Sequence, residues 1–152
     1  MDAMKLLKKD HSYVLSLFNK FDQAGRNSFA RKFRLYDEIR SELEVHSHVE
    51  EEIFYPTIRE ISPEGRKVIS EAVKEHKEID TLIGQIDRLP ADDPNFEDRL
   101  QALMEQVEHH IEEEEREIFK IAEDNFSEEQ RLEMGRKIEA VKAMHDRDRR
   151  AA

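Results

Sequence analysis

The chain has 152 residues, no Cys, 40% charged residues and a formal net charge of −11 at pH 7. Its length suits a single domain over residues 1–152, and its few Gly and Pro residues, set among many Glu, Lys, Arg, Leu and Ala, favour an all-α fold. The lack of Cys excludes disulfides and thiolate chemistry, and the negative charge argues against nucleic acid or an anionic membrane as a partner.

Two helices are predicted in the first part of the chain. Apolar residues recur at helical spacing over 2–23, and we expect Gly25 to end this first helix. The second helix should begin at Ser28, a predicted N-cap, and run to about Ile61. Pro56 should kink it near its end.

Three further helices follow, each with a recognisable start. Ser62-Pro63 should begin the third helix, which runs to about Leu89. Asp93 is placed to cap the fourth, over about 95–124. A Ser-Glu-Glu-Gln capping box begins a shorter fifth helix over about 127–147, followed by a frayed end. These elements predict an up-down antiparallel four-helix bundle over about 2–124, with a short additional C-terminal helix packed across it.

Polar side chains interrupt the apolar stripes of the four bundle helices. The second and fourth helices each carry a His followed four residues later by a Glu, and residues so spaced share one helix face. The first and third helices each carry one His on the stripe. A buried carboxylate without a partner is costly, so we expect a bound ion among these side chains. The candidate metal ligands are His11, His46, Glu50, His76, His110 and Glu114.

The two halves of the bundle repeat one another. His76 follows His11 at nearly the same interval as His110 follows His46, and similar residues surround each member of a pair. Two helical hairpins with one ligand pattern predict a pseudo-twofold axis between the halves. Such symmetry suits a pair of metal ions.

The ordered motifs resemble the hemerythrin-like, or HHE cation-binding, domain family. The resemblance covers about residues 1–122, and the series of motifs is more specific than any one of them. It implies an up-down bundle around a non-haem di-iron centre. The residues that carry it are Asp10-His11, His46-x-x-x-Glu50-Glu51 before Phe54-Tyr55-Pro56, Glu75-His76, and His110-x-x-x-Glu114-Glu115 before Ile118-Phe119.

The ligand chemistry agrees with two iron ions per chain, with Mn or Zn as substitutes. If both Glu residues bridge the ions, four His and an oxo or hydroxo bridge leave two coordination positions open. Glu51 or Glu115 are weaker candidates to fill such a vacancy. The chain differs from the oxygen-carrying hemerythrins, since Ala72 stands where a fifth His is expected and His-x-x-x-Glu replaces His-x-x-x-x-Asp.

These differences favour reaction with O2, peroxide or NO, in redox sensing or peroxide scavenging, over reversible O2 carriage. Catalase-like, peroxidase-like or ferroxidase-like activity stays open. The alternatives are an iron-binding or storage module and, less favoured, a metal-free helical interaction bundle. The sequence lacks an apolar run of about 20 residues and a signal-peptide core, which predicts a cytoplasmic location and no membrane partner. The native metal and the oligomeric state are left open.

Overall fold

The computed structural model describes residues 1–25 and 27–151, and its regular structure in these ranges is helical throughout. Arg26, within the predicted connection after the first helix, and Ala152 lie outside the described residues. The α-helices are α1 (Ala3–Gln23), α2 (Phe29–Val49), α3 (Tyr55–Arg59), α4 (Pro63–Asp87), α5 (Pro94–Glu113), α6 (Phe119–Asn125) and α7 (Glu128–Ala151). Two five-residue π-helical segments, Glu50–Phe54 and Glu114–Ile118, join α2 to α3 and α5 to α6.

The helices build a four-helix bundle with a fifth helix on its side. Its four rods are α1, α2 continued into α3, α4, and α5 continued into α6. The helix pairs α1/α2 and α4/α5 pack together, and α7 packs against α1 and α2. The predicted all-α bundle with an additional C-terminal helix is therefore confirmed.

Several helix starts follow the predicted capping chemistry. The Ser62 hydroxyl accepts a hydrogen bond from the Gly65 amide at 3.0 Å, and Asp93 accepts one from the Asn95 amide at 2.8 Å. At the start of α7, the Ser127 amide donates to Gln130 Oε1 at 2.8 Å, and the Gln130 amide donates to Ser127 Oγ at 3.1 Å. Each bond satisfies an amide that has no partner within its helix.

Three details differ from the sequence predictions. Ser28 precedes α2, but its side chain makes no capping hydrogen bond. The first helix ends because Ala24 turns to an extended conformation, and Gly25 does not adopt the left-handed conformation of a C-cap glycine. The predicted short fifth helix is a 24-residue helix whose last turns do not fray. α7 continues to Ala151, past the predicted end at about residue 147, although residues 146–151 are exposed.

The buried apolar side chains form two clusters along the bundle. Phe21 and Leu100 belong to one cluster, and Ile58 and Ile69 belong to the other. Along each rod the predicted His ligand lies between residues of the two clusters. The candidate site therefore forms a polar layer between two apolar layers. Within the described ranges, no helix is both long and apolar enough to cross a bilayer.

Candidate metal centre

The structure brings all six predicted ligands together inside the bundle. Both carboxylates are almost inaccessible, with Glu50 0% and Glu114 1% exposed, and each of the four His residues is at most 7% exposed. The donor atoms form two groups that share both Glu residues. The groups are His11, His46, Glu50 and Glu114, and His76, His110, Glu50 and Glu114, with the donor atoms of each group within 4.8 Å of one another.

Spacing between the imidazole nitrogens fits ligands of a shared ion. His11 Nε2 lies 3.1 Å from His46 Nε2, and His76 Nε2 lies 3.1 Å from His110 Nε2. Two ligands at right angles, each about 2.1 Å from one metal, are about 3.0 Å apart. The observed separations therefore suit two neighbouring coordination positions in each half.

The two carboxylates lie between the His pairs. Glu50 Oε1 is 3.1 Å from His46 Nε2 and 3.3 Å from His76 Nε2. Both oxygens of Glu50 and Oε1 of Glu114 are buried without a hydrogen bond of acceptable geometry to a described residue. Because an unpaired buried carboxylate is strongly disfavoured, these oxygens require a cation. The donor set of imidazoles and buried carboxylates thus fits bound metal.

Charges within the cluster shift the pKa values of its members. Burial alone lowers the pKa of His46, but the neighbouring Glu50 and Asp10 outweigh it and raise this pKa to about 10. Burial likewise opposes protonation of His110, yet the neighbouring carboxylates of Glu114, Glu50 and Glu75 raise its pKa to about 12. In the absence of an ion, protons on these imidazoles balance the carboxylates.

Asp10 and Glu75 hold two of the imidazoles from outside. Asp10 Oδ2 lies 3.1 Å from His46 Nδ1, and Glu75 Oε1 lies 2.7 Å from His110 Nδ1. A carboxylate at Nδ1 places the proton there and leaves Nε2 free to bind a metal. Both acids belong to the sequence motifs Asp10-His11 and Glu75-His76, but no role was predicted for them. Their position immediately before His11 and His76 in the two halves is the signal that could have shown it.

Glu51 and Glu115, the weaker ligand candidates, lie outside both donor groups. Glu51 Oε1 is 3.6 Å from His76 Nδ1, and Glu115 Oε1 is 3.6 Å from His11 Nδ1. Both carboxylates therefore face the outer nitrogen of an imidazole, at a separation too long for a hydrogen bond. Together with Asp10 and Glu75, they place an acidic side chain near the Nδ1 atom of each of the four candidate His ligands.

Tyr55 is a site residue that the sequence analysis missed. Its buried hydroxyl donates a hydrogen bond to Glu114 and lies 3.3 Å from His76 Nε2. Burial raises the pKa of the phenol well above its ordinary value, so it stays protonated. In the other half the corresponding residue is Phe119, which stacks on His11 at 5.8 Å. This Tyr/Phe difference within the repeat is the signal that could have identified it.

Both Glu ligands begin a π-helical segment. The Tyr55 amide donates to the Glu50 carbonyl, and the Phe119 amide donates to the Glu114 carbonyl, each across five residues. A π turn contains more residues than an α turn, so residues at successive steps of four stay on one face. A proline, Pro56, follows the first segment but none follows the second. Proline therefore does not explain why both segments are π-helical.

A small, mostly apolar cavity adjoins the imidazoles. Its volume is about 20 Å³, which is space for one small molecule. Glu50 and Glu114 do not line it. The lining residues are Asp10, His11, Val14, Leu43, His46, Ser47, His76, Ile79, Val107, His110 and Ile111.

The three remaining His residues lie away from the centre. His48 and His109 are exposed, while His145 is half-buried against Ser41. His109 belongs to a separate group with Glu75 and Glu113.

An all-α bundle with a buried His/carboxylate cluster defines a class of proteins that can bind metal ions. The family model described as the hemerythrin HHE cation-binding domain matches residues 2–122. The chain belongs to this family.

A solved structure and several sequences are similar to the chain. The crystal structure of a hemerythrin HHE cation-binding domain-containing protein, an Rv2633c homolog from Mycobacterium kansasii, has a TM-score of 0.84 and 27% identity. That comparison covers 95% of this chain and 87% of the other. The uncharacterized protein Rv2633c of Mycobacterium tuberculosis is 30% identical over 118 residues, which cover 78% of this chain and 70% of that protein.

A longer relative is the DNA nickase of Nostoc sp., which is 28% identical over 143 residues. The match covers 94% of this chain but only 40% of the Nostoc protein. The uncharacterized hemerythrin-like protein C869.06c of Schizosaccharomyces pombe is 29% identical over 88% of this chain and 66% of its own length. The chain thus spans less than half of the first relative and about two thirds of the second.

Proposed function

We propose that the chain holds a non-haem di-iron centre that binds or reacts with O2, peroxide or NO. In this proposal His11 and His46 would hold one iron ion, His76 and His110 would hold a second, and Glu50 and Glu114, which belong to both donor groups, would supply carboxylate ligands. Iron is favoured over Mn or Zn because bridged carboxylate and imidazole sets in helical bundles suit di-iron chemistry. In this proposal Glu51 and Glu115 are not ligands. Their carboxylates lie near the Nδ1 atoms of His76 and His11.

The cavity beside the four imidazoles is the observation that carries the proposal. It is bounded by the nitrogen ligands and by apolar side chains such as Val14, Leu43 and Ile79. A cavity of about 20 Å³ offers space on the scale of one water-sized molecule, which suits a small oxygen or nitrogen species better than a larger organic substrate. Its apolar walls also keep bulk water from the centre.

Reactivity is favoured over simple carriage by the side chains around the centre. Ala72 is buried in the apolar cluster and offers no donor where a fifth His would stand. Bound iron supplies electrons and Lewis acidity to a small oxygen or nitrogen species. Tyr55 holds a proton at its hydroxyl, 3.3 Å from His76 Nε2, where it can orient or protonate a ligand. We therefore propose redox sensing or peroxide scavenging.

The proposed function does not include the DNA-nicking activity in the name of the Nostoc relative. This chain spans 40% of that protein, and its formal charge of −11 repels a phosphate backbone.

Optical spectroscopy of the iron-loaded chain tests the proposal. A chain with two irons should show near-ultraviolet iron charge-transfer absorption that changes when peroxide is added, and the peroxide should be consumed. His46→Ala with Glu50→Gln should abolish both the iron and the response, whereas His48→Ala with Glu52→Gln, a pair with the same spacing and exposed side chains, should retain them. An iron-loaded chain whose spectrum ignores peroxide, O2 and NO would contradict the proposal.

A further inference from the structure

A third group of metal-binding side chains lies outside the centre, where α4 packs against α5. The donor atoms of Glu75, His109 and Glu113 lie within 4.8 Å of one another. His109 Nε2 is 3.3 Å from Glu113 Oε1 and 3.8 Å from Glu75 Oε2. The His109 side chain is 59% exposed and that of Glu113 is 32% exposed, so solvent ions can reach the group.

The pseudo-twofold repeat shows what occupies the corresponding place in the other half. Asp10 and Glu75 are equivalent, because each precedes a His ligand and holds the Nδ1 of a His on the neighbouring rod. The second oxygen of Asp10 contacts the Lys142 ammonium group of α7. In the first half, therefore, a fixed cation balances the outer carboxylate.

Glu75 has no such lysine. Among residues 1–25 and 27–151, no Lys or Arg lies within 4.0 Å of the Glu75 or Glu113 carboxylates, whose basic neighbours are the imidazoles of His109 and His110. The Glu75 and Glu113 carboxylates carry like charges and repel each other, since their donor atoms lie within 4.8 Å of one another. An additional cation would relieve that repulsion, as Lys142 does for Asp10.

The residues beside Asp10 in the first half are apolar, whereas those beside Glu75 in the second half are polar. His109 and Glu113 correspond in the repeat to Val45 and Val49, which are 6% and 0% exposed. Val49 belongs to the apolar cluster that includes residues of α7, while α7 leaves the α4/α5 face uncovered. The first half thus has an apolar pair and a lysine where the second has an imidazole, a carboxylate and solvent.

We propose that Glu75, His109 and Glu113 form an outer site for a divalent transition-metal ion, at the place where Lys142 lies in the other half. One imidazole and two carboxylates suit Fe²⁺, Mn²⁺, Co²⁺ or Zn²⁺, with water in the remaining positions. The negative charge of the protein raises the local concentration of such ions. Because Glu75 also holds His110, the outer ion is linked to the central site through one carboxylate.

Calorimetric titration of the metal-free full chain with Co²⁺ tests this site, and anomalous diffraction from Co²⁺-soaked crystals locates the ions. His109→Ala with Glu113→Gln removes two outer ligands and leaves Glu75 in place beside His110. His48→Ala with Glu52→Gln is the matched control, since it removes a His and a Glu of the same spacing without a third carboxylate. We expect the unmodified chain and the control to bind one more Co²⁺ than the outer-site variant, with an anomalous peak between the three side chains.

Equal Co²⁺ uptake by the unmodified chain and the outer-site variant would overturn the outer site, whether the total is two ions or many. The failure of the proposed function gives a different result. Suppose that the unmodified chain binds a single Co²⁺, and that this ion is lost in the outer-site variant but retained after His46→Ala. That result would support the outer site and contradict the proposed central pair of ions.

Discussion

The Tyr55 hydroxyl distinguishes the two halves of the centre at the scale of single residues. It donates to Glu114, whereas the equivalent Phe119 only stacks on His11. The meeting of the six candidate ligands inside the bundle could be predicted because each interrupts a local apolar stripe. The Tyr55 contact could not, because it joins residues that are far apart in the chain and meet only when the rods pack.

Replacing Tyr55 with Phe should leave the metal content unchanged and slow the reaction with peroxide. The loss of a proton donor at a reacting centre reduces the rate by on the order of 100-fold. Stopped-flow absorbance of the iron-loaded variant measures this rate. Tyr36→Phe is the control, since Tyr36 is buried but bonds to Asp87 away from the centre. An equal loss in both variants, or none in Tyr55→Phe, would contradict the assigned role.

Glu75→Gln should weaken metal binding, because a neutral amide oxygen accepts the His110 Nδ1 proton less strongly than the carboxylate does at 2.7 Å. Removing such a partner lowers metal affinity by about 10- to 100-fold. Competition with a chelator measures the affinity. Glu78→Gln should have no effect, as Glu78 is exposed and bonds only to Gln106. Equal affinities in the two variants would argue against the supporting role.

The metal-free chain should lose stability as the pH rises from about 6.5 towards 10. The pKa of His46 is raised from 6.5 to about 10 in the folded chain, so its stabilising proton is fully bound below 6.5 and lost through 10. Metal binding needs the deprotonated imidazole, so the added stability from metal should grow over the same interval. Urea unfolding at several pH values, with and without metal, measures both trends. A flat profile for the metal-free chain would show that His46 is not held protonated by the cluster.

At the scale of elements, features set by local chemistry could be predicted from the sequence, whereas features set by tertiary packing could not. The starts of α4, α5 and α7 were predicted because Ser62, Asp93 and the Ser127 box bond within one turn. The π segments were not predicted, because they depend on how each Glu is directed into the centre. Uninterrupted steps of four, as in His110, Glu114 and Ile118, are the weak local signal.

Gly65→Ala tests the close approach of α3 to α4. A Cβ at Gly65 would lie 2.3 Å from the Ile58 carbonyl oxygen, so we expect a loss of about 1–3 kcal/mol in the free energy of unfolding. Gly84 has nothing within 4 Å of the same position, and Gly84→Ala should stabilise its helix by about 0.5–1 kcal/mol. Urea denaturation of the metal-free variants compares them, and a neutral Gly65→Ala would contradict the close contact.

At the scale of the whole molecule, a repeated hairpin creates one centre with two unequal surroundings. The repeat places a His/Glu set on each side, while α7 covers only the α1/α2 half. The bundle and its shared centre were predictable from the repeat. The asymmetry was not, because the Lys142 contact with Asp10 joins the C-terminal helix to the beginning of the chain.

The most direct measurement is anomalous diffraction at the iron edge from crystals of the iron-loaded chain. We predict two neighbouring peaks inside the bundle, one beside His11 and His46 and one beside His76 and His110, with Glu50 between them. A crystal grown with iron that shows no peak among these side chains, or only one, would contradict the di-iron centre.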